Sequence, residues 1–256
     1  MTFFGEKVNM KLTPQDFANI IFNIEFLFIQ PYDQIDQGIG TGKNISFLGK
    51  SLTYDEANIR FKNRDKEIKS NLSFLRKIPK MSTIAIGYLI NEITKFLEPD
   101  ECYLNIGCWR GYSFFAGVLN HNCFSIGIDN FSEFGGPKAE FLKDYEQVKH
   151  PKSSFFDLDY QEYFESYHNT DTKIGFYFYD GNHSYDHQKE SLDVAKPYFS
   201  KNVIILVDDT NTNEARSATL EFVKENHPHY EIIFDQLTYI NGHPTFWNGL
   251  MILRKV

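Results

Sequence analysis

The fold is decided by the stretch Tyr103-Leu104-Asn105-Ile106-Gly107-Cys108-Trp109-Arg110-Gly111-Tyr112-Ser113. An apolar run ends at Ile106, and two glycines four residues apart, Gly107 and Gly111, follow it. Glycine permits a tight turn and lets a ligand lie against bare backbone, while free amides at the next helix start favour an anionic group. The stretch predicts a strand–turn–helix unit. Nucleotide-binding folds share such turns, and some glycine turns only pack.

Apolar runs and helical periodicity alternate on both sides of this turn. Helical periodicity covers Ser82 to Leu97. The runs that read as buried strands are Cys102–Ile106, Cys123–Ile128, Ser153–Phe156, Ile174–Tyr179, Val203–Val207, Tyr230–Phe234 and Leu250–Leu253. Strands that alternate with helices indicate a parallel sheet with covered faces, whereas the last two strands lack a helix between them. The sequence predicts an α/β, Rossmann-like sheet, mostly parallel, with an antiparallel C-terminal strand pair.

The first eighty residues follow a different pattern. Thr13-Pro14-Gln15-Asp16 predicts a helix start, and the helix is expected to run to about Gln30. The polar stretch from Asp33 to Lys50 predicts a mobile loop, and Thr53 to Glu56 has capping-box spacing. We expect residues 1–80 to form a helical and loop extension that serves as a lid or oligomer contact. Residues 81–256 would form the cofactor-binding domain.

Composition restricts the class of protein. The 256 residues include 25 Phe and 15 Tyr, enough for a sizeable core, and a formal charge of −8 argues against nonspecific binding to nucleic acid or anionic membrane. Three cysteines without a CxxC spacing indicate reduced thiols and a cytoplasmic protein. The apolar stretch from Phe17 to Ile29 is too short to span a bilayer and predicts a core or interface helix.

Basic residues are concentrated between Arg60 and Lys80. They are Arg60, Lys62, Arg64, Lys66, Lys69, Arg76, Lys77 and Lys80. The interleaved acids Asp65 and Glu67 favour a solvated helical face. A site for an anionic substrate or partner is the alternative interpretation.

Acids at the ends of three of the predicted strands could share one site. Asp129 ends the strand after the glycine turn, where an acid accepts hydrogen bonds from ribose hydroxyls in many nucleotide-binding domains, including those that bind NAD. The next strands lead into Asp180-Gly181-Asn182-His183-Ser184-Tyr185 and Asp208-Asp209-Thr210. Converging acids repel one another unless they are protonated, paired or bound to a cation. A divalent cation with oxygen ligands would relieve this repulsion, with helix capping and surface solvation as the alternative for these acids.

The order of these motifs resembles that of class I S-adenosylmethionine-dependent methyltransferases over about Ser82 to Val256. The Asp-Gly-x-His-x-Tyr and Asp-Asp-Thr segments are similar to those of the branch that includes relatives of macrocin-type sugar O-methyltransferases and, more distantly, catechol O-methyltransferases. The resemblance implies S-adenosylmethionine as cofactor and O-methylation of a small hydroxylated substrate, with Mg²⁺ assistance as in the metal-dependent members.

The resemblance also implies a role for each matching residue. Gly107 and Gly111 would border the methionine part of the cofactor, and Asp129 would hold its ribose. Asp157 would contact the adenine amine, with Asp159 as the alternative because the strand end is ambiguous. The full set of implied cofactor contacts is Asn105, Gly107, Cys108, Gly111, Ser113, Asp129, Asp157 and Asp180. The implied Mg²⁺ ligands are Asp180, Asp208 and Asp209.

Two residues depart from the family pattern. Asn105 stands at the first strand end, where an acid is usual, and it carries no charge for the cofactor's amino group. Asn182 stands two residues after Asp180, where sugar methyltransferases of this type carry a base. His183 is then the best remaining base because imidazole titrates near neutral pH, so His183 and Asp180 are the predicted catalytic residues. The alternative is that His183 only holds the backbone in place.

Two other functions stay open on the sequence. Asn105 and Asn182 motivate a cofactor-binding protein without transfer activity. A nicotinamide-dependent oxidoreductase would share the glycine turn but would give no role to the segments that begin at Asp180 and Asp208. In each case we expect a small-molecule ligand and no nucleic-acid or membrane partner.

Overall fold

The computed structural model of the chain describes residues 11–35, 44–47, 49–120, 123–167 and 172–256. Within these residues the strands are β1 (Ile24–Phe26), β2 (Asn44–Phe47), β3 (Lys50–Thr53), β4 (Ile59–Phe61), β5 (Glu101–Ile106), β6 (Phe124–Ile128), β7 (Ser153–Phe156), β8 (Lys173–Tyr179), β9 (Phe199–Asp208), β10 (Tyr230–Gln236) and β11 (Leu250–Lys255). The helices of the same residues are α1 (Pro14–Asn23), α2 (Tyr54–Asn58), α3 (Asp65–Asn71), α4 (Ile84–Ile93), α5 (Tyr112–Val118), α6 (Lys138–Tyr145), α7 (Tyr160–Glu162), α8 (Tyr185–Ala195) and α9 (Asn213–Glu225).

Seven of these strands form one sheet in the order β10-β11-β9-β8-β5-β6-β7. Strands β9, β8, β5, β6 and β7 run parallel, whereas β11 pairs antiparallel with both β9 and β10. The predicted α/β, Rossmann-like sheet with an antiparallel C-terminal pair is confirmed. The strand order reverses at β5, because the chain runs from β5 outwards to β6 and β7 and then returns to β8 on the other side of β5. Open α/β sheets bind ligands in the crevice outside the carboxyl end of such a strand.

Strand β8 shows why the central strands read as continuous apolar runs. Successive side chains of a strand point to opposite faces, and both faces of this sheet are covered. Phe176 and Phe178 join the core cluster that contains Ile86 of α4, whereas Tyr177 and Tyr179 join the cluster that contains Leu192 of α8. Full burial of one such aromatic side chain contributes about 1.5–3 kcal/mol, so β8 anchors both layers.

The N-terminal segment packs on the core that α4 covers. The predicted helix start is confirmed: the Thr13 hydroxyl accepts a hydrogen bond from the amide of Asp16, and the Asp16 carboxylate accepts one from the amide of Thr13. The prediction that this helix reaches about Gln30 is wrong. It ends at Asn23 because Ile24–Phe26 pairs as a strand with β4. No helix among the described residues has the length and apolar character needed to cross a lipid bilayer.

The predicted loop from Asp33 to Lys50 is described only in part. Residues 36–43 and 48 lie outside the described residues. The remaining part is not wholly loop, since β2 pairs with β3 in an antiparallel hairpin. The division of the chain at residue 80 stays a prediction.

Several of the basic residues between Arg60 and Lys80 form ion pairs with acids. Lys80 is buried, and its Nζ lies 2.8 Å from the Asp55 carboxylate. The same Asp55 oxygen accepts the amide of Ile84 at the start of α4. Arg76 pairs with Glu56 at 2.5 Å. The solvated-face interpretation therefore fails for Lys80, which joins α2 to the start of α4.

Candidate active site

The glycine turn is pressed against the end of β8. Gly107 has a φ of +81°, and a Cβ at this position would lie 1.9 Å from the carbonyl oxygen of Asp180. Its amide donates to the carbonyl of Ile128 at 2.9 Å, which joins the turn to β6 as well. Gly111 has a φ of +92° at the start of α5. Only glycine meets both the left-handed backbone and the close approach at residue 107.

A cavity of about 660 Å³ opens beside this turn, at the carboxyl ends of β5, β6 and β8. The predicted site residues that line it are Gly107, Asp129, Asp180, His183 and Asp209. A second groove of about 400 Å³ lies between α1 and the β10–β11 edge and is lined mainly by apolar side chains. None of the predicted site residues lines that groove. The first cavity is therefore the candidate active site.

Asn105 and Ser113 bind each other below the cavity. The Ser113 hydroxyl donates to Oδ1 of Asn105 at 2.9 Å, and the two residues are 5% and 0% exposed. The enclosed position explains the departure from an acid, because an amide can be buried at much lower cost than a carboxylate. The Cys108 thiol is also buried, with Sγ 3.7 Å from the carbonyl of Ile128, and burial raises its pKa well above the usual value. The side chains of Asn105, Cys108 and Ser113 therefore support the glycine turn and do not line the cavity.

Asp129 fixes the conformation of the glycine turn. Its two carboxylate oxygens accept hydrogen bonds from the amides of Trp109 and Phe131, each at 2.6 Å. Burial raises the pKa of Asp129, although these amide bonds oppose the shift. Each carboxylate oxygen has a second lone pair, so Asp129 can still accept a hydrogen bond from a ligand hydroxyl in the cavity.

Of the two acids considered for the adenine contact, Asp159 is the one that lines the cavity. It caps α7 by accepting the amide of Gln161 at 3.0 Å, and its other oxygen accepts the side-chain amide of Asn130 at 3.2 Å. Asp157 instead forms an ion pair with Lys138 and is not among the described residues that line the cavity.

His183 lies between two carboxylates. Its Nε2 is 3.5 Å from Oδ1 of Asp180 and 3.4 Å from Oδ2 of Asp209. Burial lowers the pKa of His183, but the hydrogen bond and charge of Asp180, with the charge of Asp209, outweigh it and raise the pKa overall. Burial also raises the pKa of Asp180 to about 6. The three side chains therefore form one cluster, in which the imidazole nitrogen lies between two carboxylates.

The predicted Mg²⁺ site of Asp180, Asp208 and Asp209 does not fit this arrangement. Among the described residues, no group of three or more His, Cys, Asp or Glu side chains could hold a metal ion. Asp208 is 1% exposed, its Oδ1 accepts the amide of Asp209 at 2.9 Å, and burial raises its pKa well above the usual value. The imidazole nitrogen Nε2 of His183 instead lies within 3.5 Å of both Asp180 and Asp209. Mg²⁺ binding by these acids stays a prediction.

Residues 104–210 match the family described as a methyltransferase domain. The chain has a Rossmann-like methyltransferase fold. No protein with a curated description matches the sequence.

Solved structures of methyltransferases share this fold. The O-methyltransferase TomG from Streptomyces achromogenes, involved in tomaymycin synthesis and solved with SAM, has a TM-score of 0.54 at 12% identity, over 76% of this chain and 91% of its own. An O-methyltransferase from Bacillus cereus, solved with SAH, has a TM-score of 0.53 at 11% identity, over 76% and 93%. The SAH-bound methyltransferase PaMTH1 from Podospora anserina has a TM-score of 0.52 at 14% identity, over 74% and 87%. Identities this low show the fold alone.

Backbone strain is concentrated around the cavity of this methyltransferase fold. Among the described residues, the non-glycine residues with a positive φ that line it are Trp109, Phe131, Phe134, Asp209 and Trp247, with φ values from 44° to 56°. Each such conformation costs on the order of 1–3 kcal/mol and persists only where surrounding contacts enforce it. Strain of this kind clusters at ligand-binding sites, which agrees with the placement of the site here.

Several lining residues carried no signal in the sequence. Trp247 and Asn248 come from the connection between β10 and β11, and Met81 precedes α4. His187 and Tyr160 also reach the wall, where Nδ1 of His187 lies 3.0 Å from the Tyr160 hydroxyl. In the sequence, the connection after β10 has the pattern of an ordinary polar loop. Its position at the cavity follows only from the fold, because β11 returns antiparallel to β9 and β10.

Proposed function

We propose that this chain is an S-adenosylmethionine-dependent methyltransferase that methylates an oxygen of a small hydroxylated molecule. One observation carries the proposal: a single cavity joins Gly107 and Asp129, beside the glycine turn, to the cluster of Asp180, His183 and Asp209. The match of residues 104–210 to a methyltransferase domain supports the same reaction. A sugar-like acceptor, as in the macrocin-type relatives, stays a prediction.

Different residues of the cavity wall would bind the cofactor and the methyl acceptor. S-adenosylmethionine, when bound, supplies a methyl group on a positively charged sulfur. Asp129 would accept hydrogen bonds from its ribose, and Asp159, rather than Asp157, would face its adenine. The absence of a side chain at Gly107 lets the glycine turn pack against the Asp180 carbonyl, because any side chain there would collide with it. The methionine part would then lie along this bare backbone, beside Asp180. Fixing both reactants in one geometry supplies much of the rate enhancement.

His183, Asp180 and Asp209 would handle the acceptor's proton. When the acceptor oxygen takes the methyl group, its hydroxyl proton would pass to this cluster. Because Nε2 of His183 faces both carboxylates, the cluster can receive the proton and hold it without a metal ion. Positioned proton acceptors contribute about 10²–10⁴-fold to rates.

Calorimetry with S-adenosylhomocysteine tests the cofactor part of the proposal. We expect saturable binding by the wild-type chain. No binding at millimolar ligand would overturn the proposed function.

Methyl transfer in the presence of a chelator tests the proton role, measured with labelled S-adenosylmethionine and an acceptor that the wild type methylates. We expect His183→Ala to lower turnover by about 10²–10⁴-fold with unchanged S-adenosylhomocysteine affinity. The exposed His229, changed to Ala, is the matched control and should leave turnover unchanged. Full turnover by His183→Ala would remove the proton role, and loss of wild-type turnover in chelator would restore a metal.

A binding protein without transfer activity remains an outcome of the same experiment, seen as cofactor binding without any methylated product. Asn182, which motivated it, shapes the loop: its Oδ1 accepts the amide of Ser184 at 2.9 Å and its carbonyl accepts the Tyr179 hydroxyl at 3.0 Å. A cytoplasmic location, the lack of nucleic-acid or membrane partners, and a lid or oligomer role for residues 1–80 stay predictions.

A further inference from the structure

The candidate active site has a strong imbalance of charge. The acids that line it are Asp129, Glu133, Asp159, Asp180 and Asp209. The same wall, taken over the part of the chain that the structure describes, contains no Lys or Arg. Among these described lining residues, the side chains that can become positively charged are those of His183 and His187. His183 already lies between Asp180 and Asp209. Two imidazoles, one of them already between two acids, cannot balance five carboxylates.

The basic side chains of the surrounding elements are held elsewhere. Lys138 pairs with Asp157, outside the cavity wall. Arg110, next to the glycine turn, pairs with Asp144 at 3.5 Å and does not line the cavity. These two pairs neutralise charge outside the wall, so among the described residues neither Lys138 nor Arg110 offsets the acids that line the cavity.

Uncharged side chains that can contact a polar molecule also line the cavity. Trp247 contributes an aromatic ring, and Asn182 and Asn248 contribute amide groups. Asn248 already uses its Nδ2 on Asp209 at 2.8 Å, so it holds the acid in place and leaves little donor capacity for an anionic ligand. An anion at this position would meet carboxylates without a matching cation, which is unfavourable in a partly enclosed cavity.

We infer that the methyl acceptor carries no negative charge: it is a neutral or cationic hydroxyl compound, without a phosphate, sulfate or carboxylate group. The inference rests on the proposed function and names its substrate class. S-adenosylmethionine, whose sulfonium and ammonium groups outweigh its carboxylate, carries a net positive charge and suits the same acidic wall. The negative electrostatic potential of the five carboxylates would therefore both attract the methyl donor and repel anionic acceptors.

The two tryptophans of the chain give a direct test, since Trp109 and Trp247 both line this cavity. Fluorescence excited selectively in tryptophan therefore reports on this cavity. Quenching by caesium and by iodide is compared in the wild-type chain, with N-acetyltryptophanamide as the free reference, at a constant salt concentration of about 0.1 M. The Trp109→Phe variant, loaded with S-adenosylhomocysteine, isolates Trp247 on the acceptor side.

We expect the caesium-to-iodide ratio of quenching constants to exceed that of the free reference by at least about twofold, because a negative cavity concentrates cations and repels anions. Asp209→Asn, which keeps the shape of the side chain, should lower the ratio. Asp157→Asn, which removes an acid outside the wall, should leave it unchanged. A wild-type ratio equal to or below the reference would overturn the inference, as would faster methylation of a phosphorylated acceptor than of its unphosphorylated counterpart.

The failure of this inference and the failure of the proposed function give different results. Without S-adenosylhomocysteine binding in calorimetry, the proposed function fails whatever the quenching ratio. With binding intact and a ratio at or below the reference, the methyltransferase assignment stands and only the charge class of the acceptor is overturned.

Discussion

Asn248 fixes the direction of the Asp209 carboxylate. Its Nδ2 donates to Oδ1 of Asp209 at 2.8 Å, and the other oxygen of Asp209 lies 3.4 Å from Nε2 of His183. The Asn248 side chain is itself held, because its Oδ1 accepts the amide of Gly242 at 2.7 Å. The β10–β11 connection thus contacts the cluster of Asp180, His183 and Asp209 through the side-chain amide of Asn248.

Replacement of Asn248 by Ala should therefore misdirect Asp209. We expect methyl transfer to fall by about tenfold, with a loss of about 1–2 kcal/mol of stability from the lost hydrogen bonds and unchanged S-adenosylhomocysteine affinity. Asn241→Ala, in the same connection, is the control, since Asn241 contacts Asn211 and not Asp209. Equal turnover in the two variants would show that Asn248 does not act through Asp209.

Gly107→Ala should damage both stability and cofactor binding, because its Cβ would lie 1.9 Å from the Asp180 carbonyl oxygen. Gly135→Ala is the matched control: its φ of +83° is similar, and nothing lies within 4 Å of its Cβ. We expect Gly135→Ala to cost about 1–2 kcal/mol, the penalty for a left-handed alanine. Gly107→Ala should cost more and weaken S-adenosylhomocysteine binding by at least about tenfold. Denaturant titration and calorimetry measure the two effects; similar results for both variants would contradict the role given to the close contact.

Lys80→Met should strongly destabilise the chain. It leaves the buried Asp55 carboxylate without its cation, and loss of one partner of a buried pair costs about 3–5 kcal/mol. Lys149→Met is the control, because the Lys149–Glu146 pair is exposed and such pairs contribute at most about 1 kcal/mol. The free energy of unfolding from denaturant titration separates the two cases. A loss of less than about 1 kcal/mol for Lys80→Met would show that the pair does not hold α2 to α4.

His243 should make the stability of the chain fall in mild acid. Its Nδ1 lies 2.7 Å from the Thr245 hydroxyl and its Nε2 lies 2.9 Å from the carbonyl of Asp33. Burial lowers its pKa below the ordinary 6.5, so the folded chain keeps His243 neutral where the unfolded chain takes up a proton. Stability from this group is therefore present above pH 6.5 and is lost as the pH falls from 6.5 towards the lowered value.

The measurement is the free energy of unfolding at pH 7.5 and 5.5 for the wild type and His243→Gln. The advantage of the wild type should shrink at the lower pH, because Gln has no proton to take up. A difference between the two proteins that is the same at both pH values would contradict the lowered pKa.

Much of the sheet could be predicted because its signals are local. The run that ends at Ile106 must be a buried strand, since its apolar residues are continuous and a glycine turn follows. The strands that end before Asp129 and Asp180 carry the same signal, and parallel strands bring their carboxyl ends to one edge. The end of α1 could not be predicted, because Asn23 stops the helix only where Ile24–Phe26 pairs with a strand distant in sequence.

The sequence by itself determined the order of strands and helices, the glycine turn and the presence of acids at three strand ends. It could not determine which way those acids point. Asp208 lies within β9 and is buried, whereas Asp209 adopts a left-handed backbone and faces His183. That difference depends on Asn248, 39 residues away, which holds the Asp209 carboxylate in the cavity. Only the tertiary structure could show that Asp180 and Asp209 both face the imidazole of His183, because side-chain direction at a strand end depends on contacts from distant segments.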